Sequence, residues 1–218
     1  SQPGEGPHDV PAREVARELS IDLVAGSVAE RVPGEEKLRN TSVHVRPDGE
    51  IRATYRKIHL FDVEVDGTVY RESENEAPGD EPVISAAADG TSLGLSICYD
   101  VRFPELYRKL VDRGAIAIAV PAAFTLHTGK DHWHVLLRAR AIEAQCYVIA
   151  AAQSGHHFGT RRSYGHALIA DPWGTVLAEC GEGEGYALAN IDLGFVESVR
   201  RTLPSLRQRV HLRAQRPA

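Results

Sequence analysis

Cys98 closes the apolar run Leu93-Gly94-Leu95-Ser96-Ile97 and is followed at once by Tyr99-Asp100-Val101-Arg102-Phe103-Pro104-Glu105. That order reads as a buried strand, a turn and a helix, with Pro104 suited to the helix's first turn. A thiol at such a strand end meets the backbone N–H groups of the next turn. Those donors favour a thiolate and can hold an oxyanion, so attack on a carbonyl carbon is the chemistry this position allows. A free cysteine is more often a buried structural residue, and position alone leaves both readings open. Asp100, Arg102 and Glu105 crowd three charges into the same junction. Buried charges are costly unless paired, so the expectation is a structural network among these three that fixes the turn.

The histidines are the other chemical signal, because His127, His132, His134, His156, His157 and His166 fall within forty residues. His132 and His134 stand two apart and face different sides of a helix, and no carboxylate or cysteine lies at ligand spacing from them. No metal site is expected on that basis. Three widely spaced cysteines, Cys98, Cys146 and Cys180, form no CxxC pair, which points to a reducing, cytoplasmic compartment. A net charge of -5 argues against nucleic acid or an anionic membrane as partner, despite the arginines between residues 200 and 216. That arginine run reads as a solvated helix face and tail.

The elements around these residues alternate. Residues 10–19 have helical spacing, residues 21–28 read as a strand, and residues 41–45 and 51–55 read as a hairpin turning at Pro47-Asp48-Gly49. Residues 58–90 hold no clear period and read as a long functional loop. Strands are expected at residues 93–98, 115–120, 146–152, 166–170, 175–178 and 186–191, and helices at 104–113, 132–145 and 195–203. The pattern is one α/β domain with a mixed sheet layered by helices.

Several ordered segments carry a resemblance to a known family. They are Tyr55-Arg56-Lys57-Ile58-His59-Leu60, Gly94 through Leu106 around Cys98, His132-Trp133, Leu137-Arg138-Ala139-Arg140-Ala141-Ile142-Glu143, Tyr164-Gly165-His166 and Asp171-Pro172-Trp173-Gly174. With these segments the chain resembles the nitrilase, or carbon–nitrogen hydrolase, superfamily over almost its whole length. The resemblance implies a four-layer α-β-β-α sandwich and a Glu-Lys-Cys catalytic triad. It makes Cys98 the nucleophile, Lys57 and the backbone N–H of Tyr99 the oxyanion donors, and Glu72 a second glutamate that positions substrate and water. Phe124 and Thr128, in the loop after the 115–120 strand, are candidate walls of the substrate pocket, with core packing of Phe124 as the alternative.

The family's first glutamate normally follows its first strand in a Leu-Pro-Glu-like segment, and no such segment precedes residue 10. Glu5 matches the region after it. The expectation is therefore one domain over residues 1–218, N-terminally incomplete relative to the family, lacking its first strand and helix. It is either a fragment or a short form without the general base.

Residues 132–148 and 161–166 look most like the branch that holds deaminated glutathione amidase and ω-amidase. The implied function is hydrolysis of small linear amides through a thioester, of the deaminated glutathione amidase kind, without a cofactor, by a homodimer or larger homo-oligomer. The alternatives are ω-amidase or N-carbamoyl amino acid amidohydrolase activity, and a catalytically impaired module acting through oligomerisation. Arg161 and Arg162 are candidates for an anionic substrate group, with a plain solvated loop equally open.

Overall fold

Ala12 and Ala16 stand four residues apart, one helical turn, and give α1 (Asp9–Leu19) a narrow apolar stripe. The computed structural model describes residues 9–65, 67–157, 159 and 161–210. The stripe packs on Val43 and Val45 of an antiparallel sheet made of β1 (Leu23–Arg31), β2 (Leu38–Val45) and β3 (Ile51–Arg56), in that order. The β2–β3 turn forms where the sequence places it. Gly49 has φ +80°, and the Asp48 carboxylate accepts the Glu50 N–H at 3.0 Å.

A short ribbon of β4 (Asp62–Val65) and β5 (Thr68–Arg71) follows, then β6 (Val83–Ala86) and β7 (Ser92–Leu95). After α2 (Pro104–Asp112) come β8 (Ala117–Ala119), α3 (Leu126–Ala144) and β9 (Tyr147–Ala150). The hairpin β10 (Ser154–His156) and β11 (Arg162–Tyr164) precedes β12 (Leu168–Ala170), β13 (Val176–Glu179) and α4 (Leu193–Thr202). The larger sheet has the order β13-β12-β9-β8-β7-β6, with β7, β8 and β9 parallel at its centre.

Alternation along these strands sets the layers. A side chain on Gly94 would press on Leu110 of α2 and on Ile118, each 3.1 Å from its Cβ position, so α2 lies tight against this face. The opposite face presents Ala117 and Tyr147 to Val196 of α4. On the main core Tyr55 of β3 joins Leu95 and Ile97, which welds the two sheets together. The layers therefore run α1, small sheet, large sheet, then α2 and α3, the four-layer α-β-β-α sandwich expected from the sequence. Among the described residues no helix is long and apolar enough to cross a membrane.

Three sequence expectations need correction. Residues 58–90 are not a structureless loop but hold β4, β5, a 3₁₀ turn at Glu72–Glu74 and β6. Strands of four residues broken by Gly67, Pro78 and Pro82 are too short for a period to stand out. Helix α3 begins at Leu126 and not at 132, and Gly129 in its first turn lies against the Tyr164 ring, where no side chain fits. Residues 186–191 form no strand; Tyr186 and Leu188 are 90% and 83% exposed.

Gly79 fixes the approach of the following segment to β3. Its N–H donates to the Lys57 carbonyl at 2.8 Å, and an added Cβ would collide with the Arg56 carbonyl, which has no rotamer with which to escape. Gly79→Ala is expected to lower stability by about 2 kcal/mol, read by denaturant unfolding. Unchanged stability would contradict this close approach.

Candidate active site

Cys98 sits where β7 breaks into a 3₁₀ turn, Cys98–Arg102, and its φ is +47°. A non-glycine residue in this region costs roughly 1–2 kcal/mol and persists only when its surroundings enforce it. Here they do. The Cys98 N–H donates to the Pro121 carbonyl at 2.9 Å, continuing the pairing of Ser96 with Ala119. The fully buried Asp100 carboxylate accepts four hydrogen bonds: from the Tyr55 hydroxyl at 2.7 Å, the Ile97 N–H at 2.9 Å, the His59 N–H at 3.1 Å and His59 Nδ1 at 2.7 Å. Arg140 on α3 donates to the Val101 carbonyl at 2.9 Å, closing the turn from the other side.

The expected network of Asp100, Arg102 and Glu105 does not form as one unit. Asp100 is satisfied by Tyr55, His59 and its own turn. Arg102 instead meets His132 Nδ1 at 3.2 Å and lies over the Phe124 ring at 5.2 Å. Glu105 is exposed on α2, and no ion pair among the described residues includes it. Sequence proximity suggested mutual pairing, but the helix turns Glu105 away from the junction.

Lys57 follows β3 and its side chain is only 3% exposed. Its Nζ donates to both oxygens of Glu72, at 2.7 and 2.6 Å. Glu72 returns to this point through the β4–β5 ribbon, and there it also accepts the Phe61 N–H and Asn40 Nδ2, the latter at 3.0 Å. Burial alone would raise the Glu72 carboxyl, but the Lys57 ammonium and the Phe61 N–H hold it below the usual carboxylate range. One turn on, burial and the adjacent Glu72 push Glu76 up to about 7. For Cys98 burial again dominates and pushes the thiol up, while Lys57 and the Ala123 N–H pull it back only in part. Desolvation thus outweighs the local donors that the sequence places beside this thiol.

These groups line one cleft of about 1350 Å³. Residues 25–30 of β1 form one wall, and among the described residues β1 pairs only with β2. Phe124 and Thr128 also line it. Phe124 is 4% exposed and packs on Trp133, so it is both wall and core, and the Thr128 hydroxyl is 2.7 Å from that of Thr125. Tyr99 packs edge-on against Phe61 and Phe103, and its N–H lies in the first turn of the 3₁₀ helix, where no intrahelical acceptor is available. Arg161 and Arg162 reach the rim, with the Arg161 guanidinium over the Tyr70 ring at 5.5 Å. Cys146 and Cys180 are not in this cleft.

Asn40 and Glu76 were missed from the sequence. Each leaves one buried oxygen without a partner, Asn40 Oδ1 and Glu76 Oε2. Only Glu76 left a trace, standing four residues after Glu72. Glu5 lies outside the described residues. Among the histidines, His134 and His166 do meet a carboxylate, that of Glu179, brought from 45 residues along the chain from His134.

Residues 4–201 match the family model described as carbon–nitrogen hydrolase. A deaminated glutathione amidase from Synechocystis sp. is 50% identical over 200 residues, covering 90% of this chain and 73% of that one. The crystal structure of the C. elegans NitFhit protein superposes with a TM-score of 0.87 at 44% identity, covering 94% of this chain and 50% of that chain. An amidase from Nesterenkonia sp., with acrylamide added at its active-site cysteine, gives a TM-score of 0.73 at 29% identity, covering 90% of this chain and 73% of that one.

The raised Glu76 carboxyl has a consequence for stability. Its folded pKa of about 7 lies above the ordinary value of 4.5, so the folded protein holds the extra proton between those two pH values. Its stabilising contribution is complete below pH 4.5 and is lost as pH rises through 7. Glu76→Gln is expected to flatten this part of the stability–pH profile and to raise the melting temperature at pH 8, measured by calorimetry. An unchanged profile would contradict the shift.

Proposed function

The chain belongs to the carbon–nitrogen hydrolase family, and from that premise we propose that it hydrolyses the terminal amide of a small anionic substrate through a thioester on Cys98. The observation that carries this reading is the shared cleft: a thiol held at φ +47° and a buried Lys57–Glu72 ion pair open onto the same space.

The Cys98 sulfur attacks the amide carbonyl, and the developing oxyanion takes hydrogen bonds from the Lys57 ammonium and the Tyr99 N–H. The C–N bond breaks, and the proton given up by the thiol leaves with ammonia. Water then cleaves the thioester, releasing the carboxylic acid and restoring the thiol. Glu72 keeps Lys57 paired and aimed. The thiol is pushed up by burial, which limits its reactivity while the cleft is empty.

The cationic rim of Arg161 and Arg162 suits a substrate carboxylate. Together with the likeness to the Synechocystis deaminated glutathione amidase, it favours a deaminated-glutathione-type amide, with an ω-amidase substrate as the alternative. Three unpaired cysteines fit work in a reducing, cytoplasmic compartment, and Val135 and Ile142, exposed on α3, suit pairing with a second copy.

Ammonia release from a panel of 2-oxo acid amides tests the reading. Cys98→Ala is expected to abolish turnover with the fold retained by circular dichroism. Lys57→Ala is expected to lower kcat about 10²–10³-fold, the range for loss of one oxyanion donor. Hydrolysis by Cys98→Ala, or a pure KM effect at Lys57, would overturn the assignment.

A further inference from the structure

His134 on α3, His166 in the β11–β12 connection and Glu179 on β13 converge from three separate elements outside the Cys98 cleft. His134 Nε2 and His166 Nδ1 each lie 2.8 Å from the same oxygen, Glu179 Oε1, and all three ligand atoms fall within 4.8 Å of one another. Two imidazole nitrogens and a carboxylate oxygen thus share one small volume.

The backbone beside the cluster is left-handed at two successive residues. His166 takes a left-handed φ of +57° directly after Gly165 at +77°, a position where a side chain would press on Ser154. The His166 carbonyl is then fixed by the Trp133 indole N–H at 2.8 Å, and its ring is stacked on Tyr164 at 4.2 Å. The side chains are 31%, 19% and 34% exposed, so the cluster is anchored in protein on one side and open to water on the other.

We propose that His134, His166 and Glu179 form a site for a borderline divalent cation of the zinc class, which clamps α3 to the β12–β13 hairpin. Two imidazoles and one carboxylate are a ligand set for zinc, with the open side left for water. A tetrahedral ion with bonds of about 2.0–2.1 Å needs its ligands about 3.4 Å apart. The carboxylate oxygen moves out slightly from its 2.8 Å contacts, and the two rings close towards each other. Each imidazole binds through the nitrogen that now faces Glu179. The proton on that nitrogen moves to the other ring nitrogen or, from an imidazolium, is released to solvent. The ion holds the hairpin against the helix and takes no part in amide cleavage.

The test is titration of EDTA-treated protein with zinc chloride by calorimetry, in the Cys98→Ala background so that the cleft thiol does not compete. One equivalent is expected to bind with a dissociation constant of about 10 µM or tighter, with a rise in melting temperature of a few degrees. Glu179→Gln and His134→Gln, both partly exposed changes, are each expected to weaken binding about tenfold or more. Cobalt(II) in place of zinc should show ligand-field bands without thiolate-to-cobalt charge transfer. Absence of saturable binding, binding unchanged in Glu179→Gln, or a thiolate band from Cys180 or Cys146 would overturn the proposal.

Discussion

A lysine ammonium with 3% of its side chain exposed must be paired where it stands, because taking an unpaired charge out of water costs several kcal/mol. Much of the architecture around the cleft follows from that constraint at Lys57. The β4–β5 ribbon carries the chain out and back so that Glu72 arrives with both oxygens on Nζ. The Phe61 N–H and Asn40 complete the shell of Glu72, and Gly79 lets the following segment press onto the Lys57 backbone. The pair leaves a fixed cation facing a partly desolvated cleft, the setting in which the proposed oxyanion contact would gain most.

Asp100 plays the matching part for the thiol. One buried carboxylate gathers Tyr55 from the small sheet, His59 from the segment after Lys57 and the amide of Ile97. The strained Cys98 turn is thereby referenced to β3, the strand that ends just before Lys57. Arg140 clamps the same turn from α3. The thiol and the Lys57 ammonium are thus held in one frame, and burial pushes the thiol up.

Legibility in the sequence followed local pattern. The turn at Asp48-Gly49, the helix opened by Pro104 and the small-residue strand at Ala117–Ala119 all carry their cause within a few residues, and they formed where expected. The strand-end placement of Cys98 could be read for the same reason, since its strand and its turn are contiguous, but its role as nucleophile came from the family likeness. Lys57 and Glu72 could be placed only through the family likeness, because their pairing depends on a ribbon of four-residue strands that shows no period. Asn40 and Glu76 reach the cleft by long-range packing alone. Long-range packing also places Glu179, whose histidine partners looked unrelated at the sequence level. Glu105 shows the opposite error, a charge assigned to a network by adjacency and then rotated away by its helix.

The central claim is that acyl transfer passes through Cys98 beside Lys57. Its most direct test is rapid-quench mass spectrometry of the protein mixed with a 2-oxo acid amide, followed by peptide mapping. The expected result is a transient acyl adduct on the peptide containing Cys98, appearing with the first equivalent of ammonia and decaying as acid is released. Turnover with no adduct at Cys98, or with an adduct on Cys146 or Cys180, would contradict the account.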